Sequence, residues 1–499
     1  MFRKITLTLL AAAMIFVSIP FVVSADADYK STTSTATGFS ESKKLFDQNR
    51  STYTSATSDA TVTFSRNDGI AHLYVEFDRL PPIWTLEDPE SGKTFDCGTK
   101  GFLHEYIDVN ALFGYNPKKL NLKFPKDTSL ADLYAFSEGE LPDFVQIWDE
   151  PYDKADILLI STHSDDEQLF FLGILPYYVI ERKMRVQVVY VVQHFETRYN
   201  KEHIRPHEQL DGLYAMGVRN YPTMSDIPDL YAESKDPDKA FNMAIDVFKK
   251  DGNVTHDDFK SWIIENIRRF KPQVVISHDL KGEYGHGAHV LVSRALTEVI
   301  TYSDDPTKFP ESAEKYGTWT PKKTYLHLYE ENQIVMDWDT PYDSLNGMTP
   351  FEMSQQIGFA CHKSQHWTWF YGWIYGKNGK KVTKATDITT FSPCNYGLYQ
   401  TTVGDDVLKN DFTENIVPYD LQQVETPNQG DEESENEGSN VESEANSESE
   451  VISQSETSIS EKNDKGNSNG LFIWLGVLLT FSIISVIAVF LLPRNKRFR

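Results

Sequence analysis

Residues 157–167 decide the fold and read Ile-Leu-Leu-Ile-Ser-Thr-His-Ser-Asp-Asp-Glu. The four apolar residues at the start are typical of a strand that is buried on both faces of a parallel sheet. The turn after them brings together the imidazole of His163 and the carboxylates of Asp165 and Asp166. Open α/β sheets bind ligands at the carboxyl ends of their strands, so this turn is a candidate site. Carboxylates also stabilise helix starts without any chemical role, and the turn alone leaves that alternative open.

A second polar cluster follows a second apolar segment about 120 residues later. Residues 273–277 read Gln-Val-Val-Ile-Ser, and residues 282–289 read Gly-Glu-Tyr-Gly-His-Gly-Ala-His. Both clusters should project from the same edge of a parallel sheet. A catalytic zinc site has three protein ligands and one open position, and we expect His163, Asp166 and His289 to be those ligands. Taken alone, His286 and His289 could instead be hydrogen-bonded histidines at a helix start.

The order of the segments predicts the fold class. From residue 151 to 420, apolar strands at 157–160, 186–192, 274–276 and 324–328 alternate with helical patterns. This alternation predicts a doubly wound α/β domain with a mostly parallel, Rossmann-like sheet. No glycine-rich fingerprint follows any of these strands, which excludes a dinucleotide site. Residues 26–150 alternate as short strands between turns, which predicts a β-sandwich domain.

The two ends of the chain predict membrane targeting. Residues 1–25 have the basic start, apolar stretch and small-residue cleavage site of a signal peptide. Residues 421–470 contain thirteen acidic residues and two lysines, which predicts a disordered acidic linker. The uncharged run 471–492 predicts one transmembrane helix, and the basic residues in 493–499 predict a cytoplasmic tail. The expected location is therefore the cell membrane, as a single-pass type I protein with the bulk of the chain extracellular.

Composition narrows the choice of partners. The formal net charge of −25, with no compensating basic patch, argues against nucleic acid. The three cysteines, Cys97, Cys361 and Cys394, are widely spaced and form no C-x-x-C motif. A disulfide between Cys361 and Cys394 is one open alternative, since the sequence does not fix the pairing.

The two polar motifs, Thr-His-Ser-Asp-Asp-Glu at 162–167 and Tyr-Gly-His-x-x-His at 284–289, resemble those of the PIG-L/LmbE-like zinc de-N-acetylases. That family hydrolyses the acetamide of N-acetylglucosamine in glycolipids and small glycoconjugates. The resemblance implies that His163, Asp166 and His289 bind Zn²⁺ and that Asp165 is the general base. It further implies that His286 and Tyr284 stabilise the oxyanion or protonate the leaving amine.

Two further motifs and two departures belong to the same resemblance. Arg205, in Arg-Pro-His-Glu, corresponds to the arginine that contacts the sugar, and His362 corresponds to a residue at or behind the rim of the site. Ser164 stands where the family usually has proline, and Ala288 stands where it usually has aspartate. Neither position is a ligand or the base, but Ala288 removes a carboxylate that could orient a histidine. The aromatic run 366–375 is either a set of stacking subsites for sugar rings or part of the core.

The N-terminal region and the motifs together lead to one expected function. Residues 45–53 resemble the opening of discoidin-like carbohydrate-binding modules, which implies either sugar binding or simple packing against the catalytic domain. We expect a zinc-dependent hydrolase of linear amide C–N bonds that deacetylates N-acetylglucosamine units of an extracellular or cell-envelope glycan or glycolipid. One alternative is a non-catalytic surface glycan-binding protein with a degenerate hydrolase domain. The other is a zinc amidase acting on another extracellular amide.

Overall fold

The computed structural model of the protein describes residues 26–194 and 203–422. The predicted signal peptide, transmembrane segment and cytoplasmic tail lie outside these ranges, as does all but the start of the acidic linker. Within the described ranges, no helix is both long enough and apolar enough to span a bilayer. The predicted C-terminal transmembrane helix and the single-pass type I location therefore have no support in the described structure, and they are not carried further.

Eight antiparallel strands form the first sheet. They are β1 (Thr33–Phe39), β2 (Thr54–Ser65), β3 (His72–Phe77), β4 (Trp84–Glu87), β5 (Thr94–Cys97), β6 (His104–Asp108), β7 (Lys119–Phe124) and β8 (Ser129–Phe136). The order in space is β5-β4-β7-β2-β8-β3-β6, and β1 pairs with β2 outside this path. A short helix, α1 (Val109–Phe113), follows β6 and begins where the Asp108 carboxylate accepts the amide N–H of Ala111.

This sheet corrects the predicted β-sandwich. The strands form one continuous sheet that curls into a half-barrel, not two sheets stacked face to face. The cause is β2, which is twelve residues long and pairs with β8 at its start and with β7 toward its end. The sequence concealed this strand because Thr57, Ser58 and Asp59 are exposed and interrupt the apolar alternation. The resemblance to discoidin-like modules is likewise not confirmed.

The second sheet has seven strands and is mixed. They are β9 (Ile157–Ser161), β10 (Val186–Tyr190), β11 (Thr223–Met224), β12 (Val274–Ser277), β13 (Lys323–His327), β14 (Gln333–Val335) and β15 (Asn395–Thr401). Neighbours in the order β11-β10-β9-β12-β13 are parallel, and β15 and β14 complete the sheet as antiparallel strands. Taken as a whole, the predicted fold class is therefore wrong, because the described chain combines a curled antiparallel sheet with a mixed one.

Helices cover both faces of the second sheet. They are α2 (Arg205–Ala215), α3 (Pro237–Val247), α4 (His256–Phe270), α5 (Gly287–Val299), α6 (Pro310–Tyr316), α7 (Pro350–Met353), α8 (Phe359–Cys361) and α9 (Trp369–Tyr375). Alternate residues of β9 point to opposite sides: Leu159 joins the apolar core that contains α2, and Leu158 joins the core that contains α4 and α5. The core on the α2 side is continuous with the inside of the curled sheet.

The chain order of the parallel strands creates a switch point. From β9 the chain moves outward through β10 to β11, and it then returns to the opposite side of β9 as β12. The loops after β9 and β12 therefore separate in opposite directions and leave a crevice at the carboxyl edge. Both polar motifs singled out in the sequence follow these two strands.

A network of polar side chains joins the curled sheet to α2. Arg50 donates to both carboxylate oxygens of Asp211 at 2.6 and 2.7 Å and to Glu76 at 2.7 Å. His104 and His207 face each other with ring nitrogens 2.7 Å apart. We call the following residues the interface cluster: Arg50, Glu76, His104, Asp132, Gln146, His207 and Asp211.

Candidate functional site

Histidines lie at the carboxyl ends of four neighbouring parallel strands. His163, His194 and His278 follow β9, β10 and β12, and His327 is the last residue of β13. All four are buried, although a histidine is more often partly exposed. Two more histidines lie at the start of α5 beside the same edge. We call the whole group the edge cluster, which comprises His163, Asp166, His194, Asp229, His278, Glu283, His286, His289 and His327.

The three predicted zinc ligands come together in this cluster. Nδ1 of His163 lies 2.9 Å from Nε2 of His289 and 3.3 Å from Oδ2 of Asp166. The distance from that Asp166 oxygen to His289 Nε2 is 3.4 Å. Ligand atoms about 2.1 Å from a tetrahedral zinc ion are about 3.4 Å apart, so these separations suit a single ion. Two overlapping groups in the described chain also bring one potential ligand atom of each residue within 4.8 Å of the others, and they are His163-His286-His289 and Asp166-His278-His289.

Two carboxylates determine which ring nitrogens of the ligand histidines face inward. Glu283 Oε2 lies 2.7 Å from Nδ1 of His289, and Asp229 Oδ1 lies 3.5 Å from Nε2 of His163. An N–H directed at each carboxylate leaves a lone pair on the opposite ring nitrogen. Those opposite nitrogens are the two that face each other at 2.9 Å. Two facing lone pairs repel unless a cation or a proton lies between them, so this donor set fits a metal ion.

The electrostatics of the site also favour positive charge. Burial lowers the pKa of His163, but Asp166 and Asp229 together raise it more, and the resulting pKa is about 9. For Asp229, burial raises the pKa, but hydrogen bonds from His163 and His194 outweigh it and hold the carboxyl well below its usual range. The cluster thus keeps its carboxylates ionised beside the inward-facing nitrogens.

His278 and His327 have other partners. The amide N–H of Thr162 donates to Nε2 of His278 at 3.0 Å, and Nδ1 of His278 lies 2.9 Å from Glu283. Nδ1 of His327 lies 2.7 Å from the second oxygen of Glu283. The fully buried Glu283 therefore contacts three histidines, of which only His289 belongs to the predicted ligand set. Because Ala288 lacks a carboxylate, Glu283 provides the orienting group for His289 from a different position.

Asp165 is adjacent to the ligands without being one of the three converging groups. It is buried and lines the pocket, and its Oδ2 lies 3.3 Å from Nη2 of Arg205. Arg205 is the first residue of α2, where the fixed backbone of Pro206 suits the helix start. The structure thus places Arg205 beside the predicted base. Arg205 also lines the pocket. This position is compatible with its contact to a sugar, which stays a prediction.

Tyr284 and His286 lie on a strained turn before α5. Tyr284 has a left-handed backbone with φ of 52°, between Gly282 and Gly285, which also have positive φ. A Cβ at Gly285 would collide with the carbonyl of Ser234, so only glycine fits there. Burial raises the pKa of Tyr284 well above its usual value, with Asp166 adding to the effect. Burial, with His163 next, lowers the pKa of His286 well below its usual value.

The remaining predicted residues lie behind or beside the pocket. His362 is buried, with Nε2 3.1 Å from Glu167, and it is absent from the described lining of the pocket. All three cysteines are free, so the open disulfide alternative is not realised. The residues of the aromatic run 366–375 differ in burial: Phe370 packs in the core, whereas Trp367 is 75% exposed.

A cavity of about 300 Å³ opens onto the edge cluster. Its volume is at the lower end of the range for small-molecule sites, which suits one sugar ring with its substituents. Six predicted site residues line it, and the other described lining residues are polar or aromatic. The described lining comprises His163, Asp165, Asp166, Arg205, Asp229, Tyr231, Tyr284, His286, Gln365, Trp367, Thr368 and Phe370.

Sequence reasoning missed several members of the edge cluster. Asp229 lies in an irregular loop after β11, where no periodicity or motif marks it. Glu283 lies within the motif at 282–289, but its contacts with three histidine rings depend on the fold and cannot be read from the sequence. The other three missed residues could have been found from the sequence, since each is a histidine at the end of an apolar strand. They are His194, His278 and His327.

Comparisons with known proteins agree with the location of this site. Residues 158–300 match the family model described as GlcNAc-PI de-N-acetylase, PIG-L. The 1D-myo-inositol 2-acetamido-2-deoxy-alpha-D-glucopyranoside deacetylase 2 of Saccharopolyspora erythraea is 30% identical over 115 residues, 23% of this chain and 39% of that protein. The mycothiol S-conjugate amidase of Streptomyces coelicolor is 33% identical over 66 residues, 13% of this chain and 22% of that enzyme.

A solved structure gives a similar, more distant match. The N,N'-diacetylchitobiose deacetylase of Pyrococcus horikoshii is 14% identical, with a TM-score of 0.28 over 36% of this chain and 63% of that one. The chain spans less than two-fifths of the length of the two curated relatives named above.

Proposed function

We propose, on the premise that residues 158–300 form a PIG-L domain, that this protein is a zinc-dependent hydrolase that removes the N-acetyl group from N-acetylglucosamine units of a glycan or glycoconjugate. The observation that carries the proposal is the convergence of His163, Asp166 and His289 at mutual distances of 2.9 to 3.4 Å. These three side chains would hold the ion. A zinc ion supplies two things to amide hydrolysis, a lowered pKa for water and a polarised acyl carbonyl.

The proton transfers are assigned to side chains that are not among the three proposed ligands of the ion. Asp165 lines the same cavity and takes the proton of the attacking water as general base. Arg205, 3.3 Å from Asp165, holds that carboxylate in one orientation. His286 and Tyr284 line the cavity as well, where they stabilise the developing oxyanion by hydrogen bonds or protonate the leaving amine. A side chain that gives its proton to the amine regains one from Asp165, which holds the proton taken from water.

The shape of the cavity supports a sugar amide as the substrate. The acetamide enters beside the edge cluster, where Asp165 and His286 are buried. The exposed ring of Trp367 and the half-exposed ring of Tyr231 also line the cavity. Aromatic rings of this kind pack against the apolar face of a sugar and leave its hydroxyl groups in water. Burial of the amide excludes bulk water from the reacting centre.

Acetate release and metal content test the proposal on the purified protein. The substrates are N-acetylglucosamine, N,N'-diacetylchitobiose and an N-acetylglucosaminyl-inositol. We expect acetate from at least one of them and one zinc per chain by elemental analysis. A His163→Ala, His289→Ala double variant should lose both, whereas a His72→Ala, His256→Ala double variant, which changes two histidines outside the site, should lose neither. Unchanged metal content in the first double variant, or no acetate from any substrate, would refute the assignment.

A second candidate is hydrolysis of another amide. The similarity to the mycothiol S-conjugate amidase favours it, since 66 residues of this chain are 33% identical to an enzyme named as an amidase. The two candidates share the metal centre and differ in what occupies the 300 Å³ cavity. Faster release of product from a thiol-conjugate amide than from any N-acetylglucosamine substrate would favour the amidase.

A further inference from the structure

A second and larger cavity lies between the curled sheet and α2. Its volume is about 1260 Å³, which exceeds the usual range for a site that holds one small molecule. The curled-sheet side contributes Asn49, Arg50 and Tyr134, and the other side contributes Glu208, Asp211 and Gln356. We call this cavity the interface groove. It is separate from the catalytic cavity, and no role proposed so far uses it.

The groove and the catalytic cavity share two walls. The first is the start of α2, where Arg205 lines the catalytic cavity and Glu208, one turn later, lines the groove. The second is residues 363–368, where Ser364 lines the groove and Gln365 lines the catalytic cavity. The Glu208 carboxylate accepts hydrogen bonds from the amide N–H of Ser364 at 2.9 Å and from its hydroxyl at 2.5 Å. This bridge joins the two walls, so the two cavities lie on either side of it.

From this arrangement we infer that the interface groove binds the neighbouring sugar units of the same glycan chain whose acetamide occupies the catalytic cavity. The inference rests on the proposed function and adds the substrate class, an extended N-acetylglucosamine oligomer. A chain that crosses the Glu208–Ser364 bridge places one unit at the reacting centre and further units in the groove. A monosaccharide substrate leaves the groove unused.

The chemistry of the groove suits an uncharged polyhydroxylated chain. Its lining mixes both signs of charge, which argues against a polyanion: Arg50 and Lys363 are basic, and Asp143, Glu208 and Asp211 are acidic. Amide side chains and tyrosines account for several of the other lining positions and offer both hydrogen bonds and apolar ring faces.

One wall of the groove is also held in place before any ligand binds. Asp211 accepts hydrogen bonds from Arg50 and from Nε2 of Gln146 at 2.6 Å, yet its side chain remains 31% exposed. A carboxylate fixed by its neighbours costs little further ordering when it meets a sugar hydroxyl.

The experiment compares substrates of different length in matched tryptophan variants of the whole protein. The substrates are N-acetylglucosamine and its β-1,4-linked pentamer, and the measured quantity is kcat/KM for acetate release. Gln356→Trp fills the groove from an exposed wall position, and Gln333→Trp places the same bulk on an exposed strand outside it. Binding of the pentamer is measured in parallel by calorimetry.

In the parent protein we expect the pentamer to be at least about tenfold better than the monosaccharide, because the remote units contribute binding energy. Gln356→Trp should remove most of that ratio and weaken pentamer binding, and Gln333→Trp should change neither. Equal kcat/KM for the two lengths, or an unchanged ratio in Gln356→Trp, overturns the inference while leaving the proposed function intact. If no substrate releases acetate, the proposed function fails, and calorimetry decides the groove: pentamer binding that is insensitive to Gln356→Trp overturns it.

Discussion

The edge cluster and the interface cluster both bury ionisable side chains, yet they differ in how these face one another. In the interface cluster, opposite charges meet, since Arg50 donates to both Glu76 and Asp211. In the edge cluster, acceptors meet acceptors: His163, His289 and Asp166 direct a ring nitrogen, another ring nitrogen and an oxygen at one point. The ion pairs of Arg50 need no further ion, whereas the arrangement in the edge cluster is completed only by a proton or a cation.

This difference teaches which buried charges mark a site. Perturbed pKa values occur in both clusters, so the perturbation alone does not distinguish a catalytic group from a structural one. For example, burial and then Arg50 lower the pKa of His104 well below its usual value, although His104 only bridges Gln146 and His207. Convergence of lone pairs is the more specific sign, because folding alone gains nothing from it.

The largest expected effect comes from the edge cluster. Asp165→Asn removes the proposed base without removing a converging ligand, so kcat should fall by about 100-fold to 10,000-fold. Zinc content by elemental analysis should stay at the parent level, which separates this variant from a ligand variant. Acetate release near the parent rate would show that Asp165 is not the base.

Breaking the interface cluster should lower the stability of the fold more than it slows the chemical step. Arg50→Met leaves the fully buried Glu76 without its partner, which should cost about 3–5 kcal/mol of unfolding free energy. Adding Glu76→Gln should recover much of this loss, because the uncompensated charge is gone. Urea unfolding measures both variants. A double variant as unstable as the single one would mean that the loss reflects packing and not charge.

A third variant tests whether a residue of the edge cluster orients a metal ligand without binding the ion itself. Glu283→Gln keeps the size of the side chain but weakens its hold on the Nδ1–H of His289, so zinc affinity should fall by about 10-fold to 100-fold. Asp279→Asn is the matched control, since within the described residues this neighbouring carboxylate accepts the amide N–H of Lys281 and contacts none of the ligand histidines. Metal-chelator competition measures the affinity, and equal values for the two variants would remove the orienting role from Glu283.

Much of the site could be predicted because its chemistry follows strands. The apolar segments at 157–160 and 274–276 lie within β9 and β12, and the polar motifs after them reach the same edge. The resemblance to PIG-L is confirmed for residues 158–300. Asp229 and the reach of Glu283 could not be predicted, since they depend on how a loop and a turn pack and not on any period in the sequence.

The architecture was harder to predict for a related reason. Strand periodicity shows that a strand exists, but it does not show which strand lies beside it. The curled sheet depends on the change of partner along β2, and the mixed sheet depends on β15 returning beside β13 from far along the chain. Pairings of this kind are decided by long-range packing.

The smallest expected effect concerns Asp132 in the interface cluster. Burial and the charge of Glu76 raise the pKa of Asp132 to about 7. An unfolded aspartate titrates near about pH 3.9, so between about pH 4 and 7 the folded state keeps a proton that the unfolded state releases. Stability therefore falls as the pH rises through this window, and the full penalty is present above it.

Asp132→Asn removes this penalty and keeps an oxygen that can accept the amide N–H of Gln48, which now donates to Oδ1 at 2.9 Å. We expect a gain on the order of 1 kcal/mol at pH 8 and almost none at pH 4, measured by urea unfolding at both values. Asp59→Asn, on the exposed part of β2, is the matched control and should give no gain at either pH. A gain of equal size at pH 4 and pH 8 would mean that asparagine at position 132 stabilises the folded protein for a reason other than the loss of the carboxylate charge. The interface cluster would then hold its carboxylates ionised throughout, as the edge cluster does, and the contrast between the two would rest on geometry alone.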